Sequence, residues 1–141
     1  MPKLLAVRYR LFEFEESAAI AAANDETHHF NGELVLSFED STDVFVSWVN
    51  APVQHSIGTQ STSYFISDAT LTDHDVSGTG MWSGLVGHDV SLEFVAPDNQ
   101  ILAVASSKDR LLLCSFERGH WWADVVAVCR ESPAAYVALG A

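Results

Sequence analysis

Three stretches of this chain place imidazoles beside carboxylates, a pairing used in both acid–base catalysis and metal binding. They are DETHH, which ends in His28 and His29, DHD around His74, and HD at His88. None of the spacings matches a ligand motif, because the chain has no H-x-x-x-H and no paired C-x-x-C. We therefore predict loop histidines that hold no metal or cofactor. A small-ligand or metal-binding module using these loop histidines is the alternative.

The other chemistry-bearing residues do not form a catalytic pattern. No serine lies in a G-x-S-x-G sequence, and Cys114 and Cys129 lie inside apolar runs without a flanking histidine. The GTG at residues 78–80 is too short for a phosphate loop. Because no nucleophile, base and orienting group occur together, the sequence does not predict an enzyme.

Two adjacent tryptophans suggest contact with another protein. In ERGHWWAD, Trp121 and Trp122 point to opposite faces of an extended segment, so one enters the core while the other lies at the surface. Arg118 and His120 flank them, and an exposed tryptophan beside an arginine is typical of an interaction hot spot. The alternative is that the second tryptophan only covers a sheet edge.

The charge of the chain narrows the class of partner. Nineteen acidic residues against seven basic ones give a formal charge of −12, which repels nucleic-acid phosphates and anionic lipids. The charge serves either solubility alone or the attraction of a basic protein, and we predict a basic protein partner. Six acidic residues in polar stretches are the candidate contacts: Glu39, Asp40, Asp43, Asp68, Asp73 and Asp75.

Length and composition predict a single soluble domain over residues 1–141. Forty-eight per cent of the residues are hydrophobic, enough to fill a core at this length. The N-terminus lacks the apolar run of a secretory leader, and no run is long enough to span a membrane, so we expect a cytoplasmic protein. Cys114 and Cys129 are expected in neighbouring strands, where either free thiols or a cross-strand bridge is open.

Four consecutive strands joined by short turns are predicted near the C-terminus. The runs are HDVSLEFV, QILAVAS, RLLLCSF and ADVVAVCR, and the gaps carry the Asn, Asp, Gly or Pro that reversals need. We predict an up-and-down antiparallel meander. The fold class is mainly β, an antiparallel sandwich or partly closed barrel with one or two short helices.

The N-terminal half predicts one strand, one helix and one hairpin. Alternation of Leu5, Val7, Tyr9 and Leu11 predicts a strand, and a slip of phase at Phe12 predicts a bulge or a crossing between sheets. Residues 15–24 are rich in alanine and predict a short helix, followed by a loop at residues 25–32. Alternating apolar residues in 34–38 and 44–49 predict a hairpin with a turn of about five residues.

The middle of the chain predicts long polar connections. Residues 53–63 and 71–80 are polar and are expected to be surface loops, with a brief strand SYFIS between them. MWSGLVG has Trp82 and Leu85 at i,i+3 spacing, which predicts a one-turn plug against the core. We expect one shared core, composed of Trp48, Trp82, Leu92, Phe94 and one of Trp121 or Trp122.

The chain resembles a group of small bacterial β-rich proteins of unassigned function. The resemblance is carried by Phe38-Glu39-Asp40 before Val46-Ser47-Trp48, and by Trp82-Ser83-Gly84-Leu85-Val86-Gly87 before the meander. Ser41 stands where that pattern has a turn glycine. In size and acidity the chain also resembles the immunity partners of bacterial toxins, which implies an inhibitor that occupies a toxin's active site and supplies no catalytic residues.

Overall fold

The computed structural model describes residues 2–12, 27–52, 56–65, 71–115 and 126–130, which form two five-stranded antiparallel sheets. In spatial order, the first sheet contains β5 (Ser56–Gln60), β4 (Asp43–Val49), β3 (Gly32–Phe38), β1 (Leu4–Phe12) and β6 (Leu71–Asp75). The second sheet contains β2 (Thr27–Phe30), β10 (Val126–Arg130), β9 (Arg110–Cys114), β8 (Ile101–Ala105) and β7 (Ser91–Phe94).

The predicted meander is confirmed in the second sheet. Strands β7, β8, β9 and β10 are neighbours in chain order, and each pairs antiparallel with the next. The β7–β8 connection contains a 3-10 turn at Pro97–Asn99, in which Asp98 and Asn99 adopt positive φ angles of 58° and 57°. Aspartate and asparagine tolerate this conformation better than other side chains do, which explains the reversal at this point.

The two sheets pack face to face, so the fold is a sandwich and not a closed barrel. Alternate residues of β1, β3, β8, β9 and β10 point inward, and their side chains form one hydrophobic core. Trp82 is fully buried in this core, and the partly buried Trp48, Leu92 and Phe94 pack against it, as predicted. Trp121 and Trp122 lie outside the described residues.

The predicted hairpin is β3–β4, with a turn at residues 39–42. Phe38 donates its N–H to the carbonyl oxygen of Thr42 at 2.9 Å, and Asp40 Oδ1 accepts the Thr42 N–H at 3.0 Å. Ser41 adopts a positive φ of 67°, the conformation for which glycine is preferred. The Asp40 side chain thus stabilises a turn that lacks the favoured glycine.

The first strand has its irregularity at the start, and the predicted inward position of Leu5 is wrong. The register with β3 shifts between Leu4 and Ala6, which is a β-bulge. Because a bulge moves the following side chains to the other face, Leu4 is fully buried and Leu5 is 51% exposed. Val7, Tyr9 and Leu11 point inward as predicted. At the predicted phase slip, Phe12 continues the strand in regular register with β6, and Phe14 lies outside the described residues.

Three polar stretches that we predicted to be loops contain strands, so those predictions are wrong. Residues 27–30 form β2, residues 56–60 form β5 and residues 71–75 form β6. All three lie at the edges of their sheets. An edge strand has one neighbour and one buried face, so few apolar residues suffice to hold it. Ile57 is the only fully buried hydrophobic side chain among the five residues of β5.

Two further local predictions meet different outcomes. The prediction of a strand at SYFIS is wrong for its described residues 63–65, which form a bend over the first sheet. The plug is confirmed: Trp82, Met81 and Leu85 are fully buried, and Val86 donates its N–H to the Trp82 carbonyl at 3.0 Å, closing one helical turn. The helix proposed at residues 15–24 lies outside the described residues. No helix in the described part of the chain is long and apolar enough to cross a bilayer.

Candidate functional site

Between the sheets lies a set of polar side chains that we name the interior polar cluster: Tyr9, His28 and Trp82. Trp82 Nε1–H donates to the Tyr9 hydroxyl oxygen at 2.8 Å, and that oxygen lies 2.6 Å from His28 Nδ1. Because the Tyr9 oxygen already accepts from Trp82, we assign the Tyr9 proton to the bond with His28, whose Nδ1 then accepts it. The cluster joins β1, β2 and the plug.

Burial controls the chemistry of this cluster. All three side chains have no solvent exposure, and Phe30 stacks on the Tyr9 ring with centroids 4.4 Å apart. Burial raises the pKa of Tyr9 far above its ordinary value, while the Trp82 hydrogen bond opposes part of the rise. Tyr9 is therefore neutral at physiological pH. The cluster is shielded from solvent and serves to join elements of the core.

A second polar network, which we name the charged ladder, crosses the outer face of the first sheet: Arg8, Arg10, Glu33 and Asp73. Arg10 donates from Nη1 to Glu33 Oε2 at 2.5 Å and from Nε to Asp73 Oδ1 at 3.0 Å. Arg8 Nη1 lies 3.5 Å from the second oxygen of Asp73. The register places Arg10 opposite both carboxylates, because β1 lies between β3 and β6.

Glu33 is the buried end of the ladder. Its side chain is fully buried and also accepts from Ser63 Oγ at 2.5 Å and from the Tyr64 N–H at 2.8 Å. A Cβ at Gly58 would lie 2.6 Å from the Tyr64 hydroxyl oxygen, so a side chain at position 58 would force that hydroxyl to move. Burial, and next the Glu33 charge, raise the pKa of Tyr64 to about 12. Through its hydrogen bonds with Ser63 and Tyr64, the Glu33 carboxylate holds residues 63–65 on the sheet.

The acidic residues of the hairpin turn are accessible. Glu39 and Asp40 are exposed and Asp43 is half-buried. None of the three forms an ion pair with another described residue. Glu39 donates its backbone N–H to the Lys3 carbonyl at 3.0 Å, which places the turn beside the first residues of the chain.

The acidic residues of β6 lie in a different environment. Asp73 is bound by two arginines of the ladder. Asp75 accepts the Ser77 N–H at 2.9 Å, and hydrogen bonds from Ser77 hold the pKa of Asp75 below its ordinary value. Asp73 is at the level of residue 33 of β3, whereas the hairpin turn begins after residue 38, a separation of about 17 Å along the strand. The two acidic groups are not contiguous.

The remaining predicted contacts lie outside the described residues: Asp68, Arg118, His120, Trp121 and Trp122. The histidines whose side chains the structure describes lie apart from one another. His28 is in the core, His74 stands opposite Tyr9 in the β1–β6 register, and His88 is half-buried near the N-terminal segment. Within the described residues, no three His, Cys, Asp or Glu side chains are close enough to hold a metal ion.

A shallow polar cleft of about 500 Å³ opens near His88. It is lined by Lys3, Gly87, His88, Asp89, Ser91, Ala105, Ser106 and Ser107. A β-bridge pairs Lys3 with Asp89, so the cleft has a cation and an anion on adjacent backbones. Of these residues the sequence pattern indicated only His88 and its neighbour Asp89, because the lining comes from three segments that are distant along the chain.

Cys114 and Cys129 are not joined by a disulfide, so the alternative of a cross-strand bridge is not realised. Both are buried on the outer face of the second sheet, in a cluster with Ile101, Leu112 and Ala127. Cys129 donates to the Leu112 carbonyl oxygen at 3.6 Å, and a hydrogen bond with the Cys114 thiol lowers the pKa of Cys129 against the opposing effect of burial.

Comparisons of the chain with protein-family models, with curated proteins and with solved structures found no match. The resemblance to small bacterial β-rich proteins therefore stays an expectation from sequence motifs.

Proposed function

We propose that this domain is an acidic protein-binding module that recognises a basic partner. The observation that carries the proposal is the exposed acidic hairpin turn of a strongly acidic chain. Arg8, Arg10 and Arg130 are held in ion pairs within the chain, whereas Glu39 and Asp40 are exposed without such pairs among the described residues. The turn therefore presents carboxylates that a partner can reach, and a formal charge of −12 attracts a basic surface over a distance.

In its specific form, the proposal makes the domain an immunity-type inhibitor of a bacterial toxin. A toxin domain that acts on nucleic acid presents a basic substrate site, and an acidic inhibitor neutralises it by occupying that site. The size and acidity of the chain support this form. The test is to co-express the chain with the product of the adjacent gene: an inactive, co-purifying toxin supports the specific form, and free active toxin contradicts it.

The general form is tested by association kinetics with that basic partner. Neutralising the turn in a Glu39→Gln/Asp40→Asn variant should slow association at low ionic strength and have little effect at high ionic strength, because steering is screened by salt. The matched control is Glu93→Gln/Asp98→Asn, which removes the same charge from exposed positions at the second sheet. An association rate indifferent to salt would show that the charge serves solubility alone.

A second candidate function rests on the cleft beside His88. Its cation, carboxylate and serine hydroxyls supply the few convergent polar groups that fix a small polar ligand, and its volume is within the range of ligand pockets. A screen of amino acids and small carboxylic acids by thermal shift would test it. Support requires a shift that Lys3→Ala and His88→Ala both abolish, and a shift unchanged by these variants would exclude the cleft.

A further inference from the structure

Strand β6 has one neighbour, and its hydrogen-bond phase defines its open side. Val76, just after the strand, donates its N–H to the carbonyl oxygen of Val7 at 2.9 Å, so position 76 faces β1. In an antiparallel pair, residues whose backbone groups face the neighbour alternate with residues whose groups point away. Within β6, residues 72 and 74 therefore bond to β1 and residues 71, 73 and 75 turn their N–H and C=O groups outward.

The outward side of β6 is accessible. Thr72, Asp73 and Asp75 are exposed, and within the described ranges no strand pairs with this edge. A row of unpaired backbone donors and acceptors is a template for an added strand, and peptides bind sheet edges in this way.

Charge determines which strand the edge accepts. Asp73 and Asp75 are two residues apart, so both carboxylates lie on the outer face of the sheet. Side chains directly opposite across a strand pair interact, and like charges there are destabilising. A second copy of β6 would place its own aspartates beside these carboxylates. A strand with lysine or arginine at alternate positions would place ammonium or guanidinium groups there instead.

We propose that β6 is a docking edge for a basic strand of the partner, which adds to the first sheet with alternate Lys or Arg side chains facing Asp73 and Asp75. This inference rests on the proposed function and specifies where and how the partner binds. A Ser77 hydrogen bond holds the Asp75 carboxylate and Arg8 and Arg10 hold that of Asp73, both on the outer face of the sheet next to the edge.

The experiment uses the full chain and a synthetic peptide, Thr-Lys-Val-Lys-Val-Lys-Thr. Amide hydrogen exchange is measured by NMR with and without the peptide. The amides of Leu71, Asp73 and Asp75 should exchange fast in the free domain and become protected by tenfold or more at saturation. Those of Thr72 and His74 should already be slow, since they bond to β1. No gain of protection at the three outward amides would overturn the proposal.

Two matched controls separate strand addition from charge attraction. The same peptide with methyl groups on the backbone nitrogens that face β6 keeps its charge but cannot donate hydrogen bonds, and it should bind at least tenfold more weakly. Asp75→Asn should weaken binding of the unmodified peptide by two- to fivefold, the scale of one cross-strand pair. Glu93→Gln, on the edge strand β7, should leave it unchanged. Equal binding of both peptides, or an equal effect of both variants, would contradict the docking edge.

The failure of this inference can be told apart from failure of the proposed function. If the toxin-like basic partner associates in a salt-dependent manner but the outward amides of β6 stay unprotected in the complex, the docking edge is wrong and the binding function stands. If the partner's association rate does not depend on salt concentration and the amides stay unprotected, the docking edge and the proposed function are both wrong.

Discussion

The interior polar cluster and the charged ladder both join three or more elements of the fold by hydrogen bonds, but only the ladder contains ion pairs. In the cluster, a neutral hydroxyl of β1 accepts from the plug and donates to β2. In the ladder, Arg10 of β1 bridges a buried carboxylate of β3 and an exposed one of β6. The cluster lies within the core, and the ladder runs from a fully buried position at Glu33 to the solvent at Asp73.

This difference determines which substitutions lower the stability of each network. A network in the core without an ion pair is insensitive to salt, and its residues contribute mainly by the volume they fill. A buried charge depends on its partner, because removal of the partner leaves an uncompensated charge. The interior polar cluster should therefore respond to changes of side-chain volume, and the charged ladder to changes of charge.

The largest effect is expected in the interior polar cluster. Trp82→Ala removes a fully buried ring and should lower the free energy of unfolding by ~3–5 kcal/mol. Trp82→Phe retains most of the apolar volume and removes the Nε1 donor, so its cost should be smaller. Urea unfolding of both variants measures the difference. An unchanged unfolding curve for Trp82→Ala would contradict the plug.

The next effect concerns the buried end of the charged ladder. Glu33→Gln is nearly isosteric and removes the charge that faces Arg10, so the free energy of unfolding should fall by about 2–3 kcal/mol, less than for a fully buried pair because Arg10 is partly exposed. In combination with Arg10→Gln the loss should be smaller than the sum of the single losses. Additive losses in this cycle would show that the two side chains are not coupled.

The raised pKa of Tyr64 makes the stability contribution of the charged ladder depend on alkaline pH. The pKa of Tyr64 is raised to about 12, so its contribution to stability is complete below the ordinary tyrosine pKa of 10.0 and is lost as the pH rises from there towards 12. Tyr64→Phe should flatten this part of the curve of unfolding free energy against pH. Glu33→Gln should lower the pKa of Tyr64, seen by absorbance at tyrosinate wavelengths. A titration of Tyr64 unaffected by Glu33→Gln would exclude the electrostatic contact.

The smallest effect is expected at Asp75, at the exposed end of β6. Its pKa lies below the ordinary 3.8, so the contribution is complete above that value and is lost as the pH falls through the lower folded-state pKa. Because the carboxylate is exposed, Asp75→Asn should cost about 0.5 kcal/mol or less near neutral pH. The difference between the two proteins should vanish in acid. A constant difference down to low pH would show that the carboxylate's charge is not involved.

The candidate site was predictable only in its residue types. The sequence identified Glu39, Asp40, Asp73 and Asp75 as acidic and polar-flanked, and all four lie at exposed positions. It did not show that Asp73 is shared by two arginines, since that depends on the pairing of β1 with a strand more than 60 residues later. The cleft beside His88 was missed for the same reason, because its lining residues have no common pattern along the chain.

The sequence by itself determined the meander, the β3–β4 hairpin and the plug. Each of these consists of apolar residues at a fixed period with turn residues between them, and both signals are local. Only the tertiary structure decided the rest. The edge strands β2, β5 and β6 have few apolar residues, because a strand with one neighbour and one buried face needs few. The hydrogen-bond partners Tyr9 and Trp82 are 73 positions apart in the sequence. Pairings of this kind depend on the stacking and register of two sheets, which no local period along the chain records.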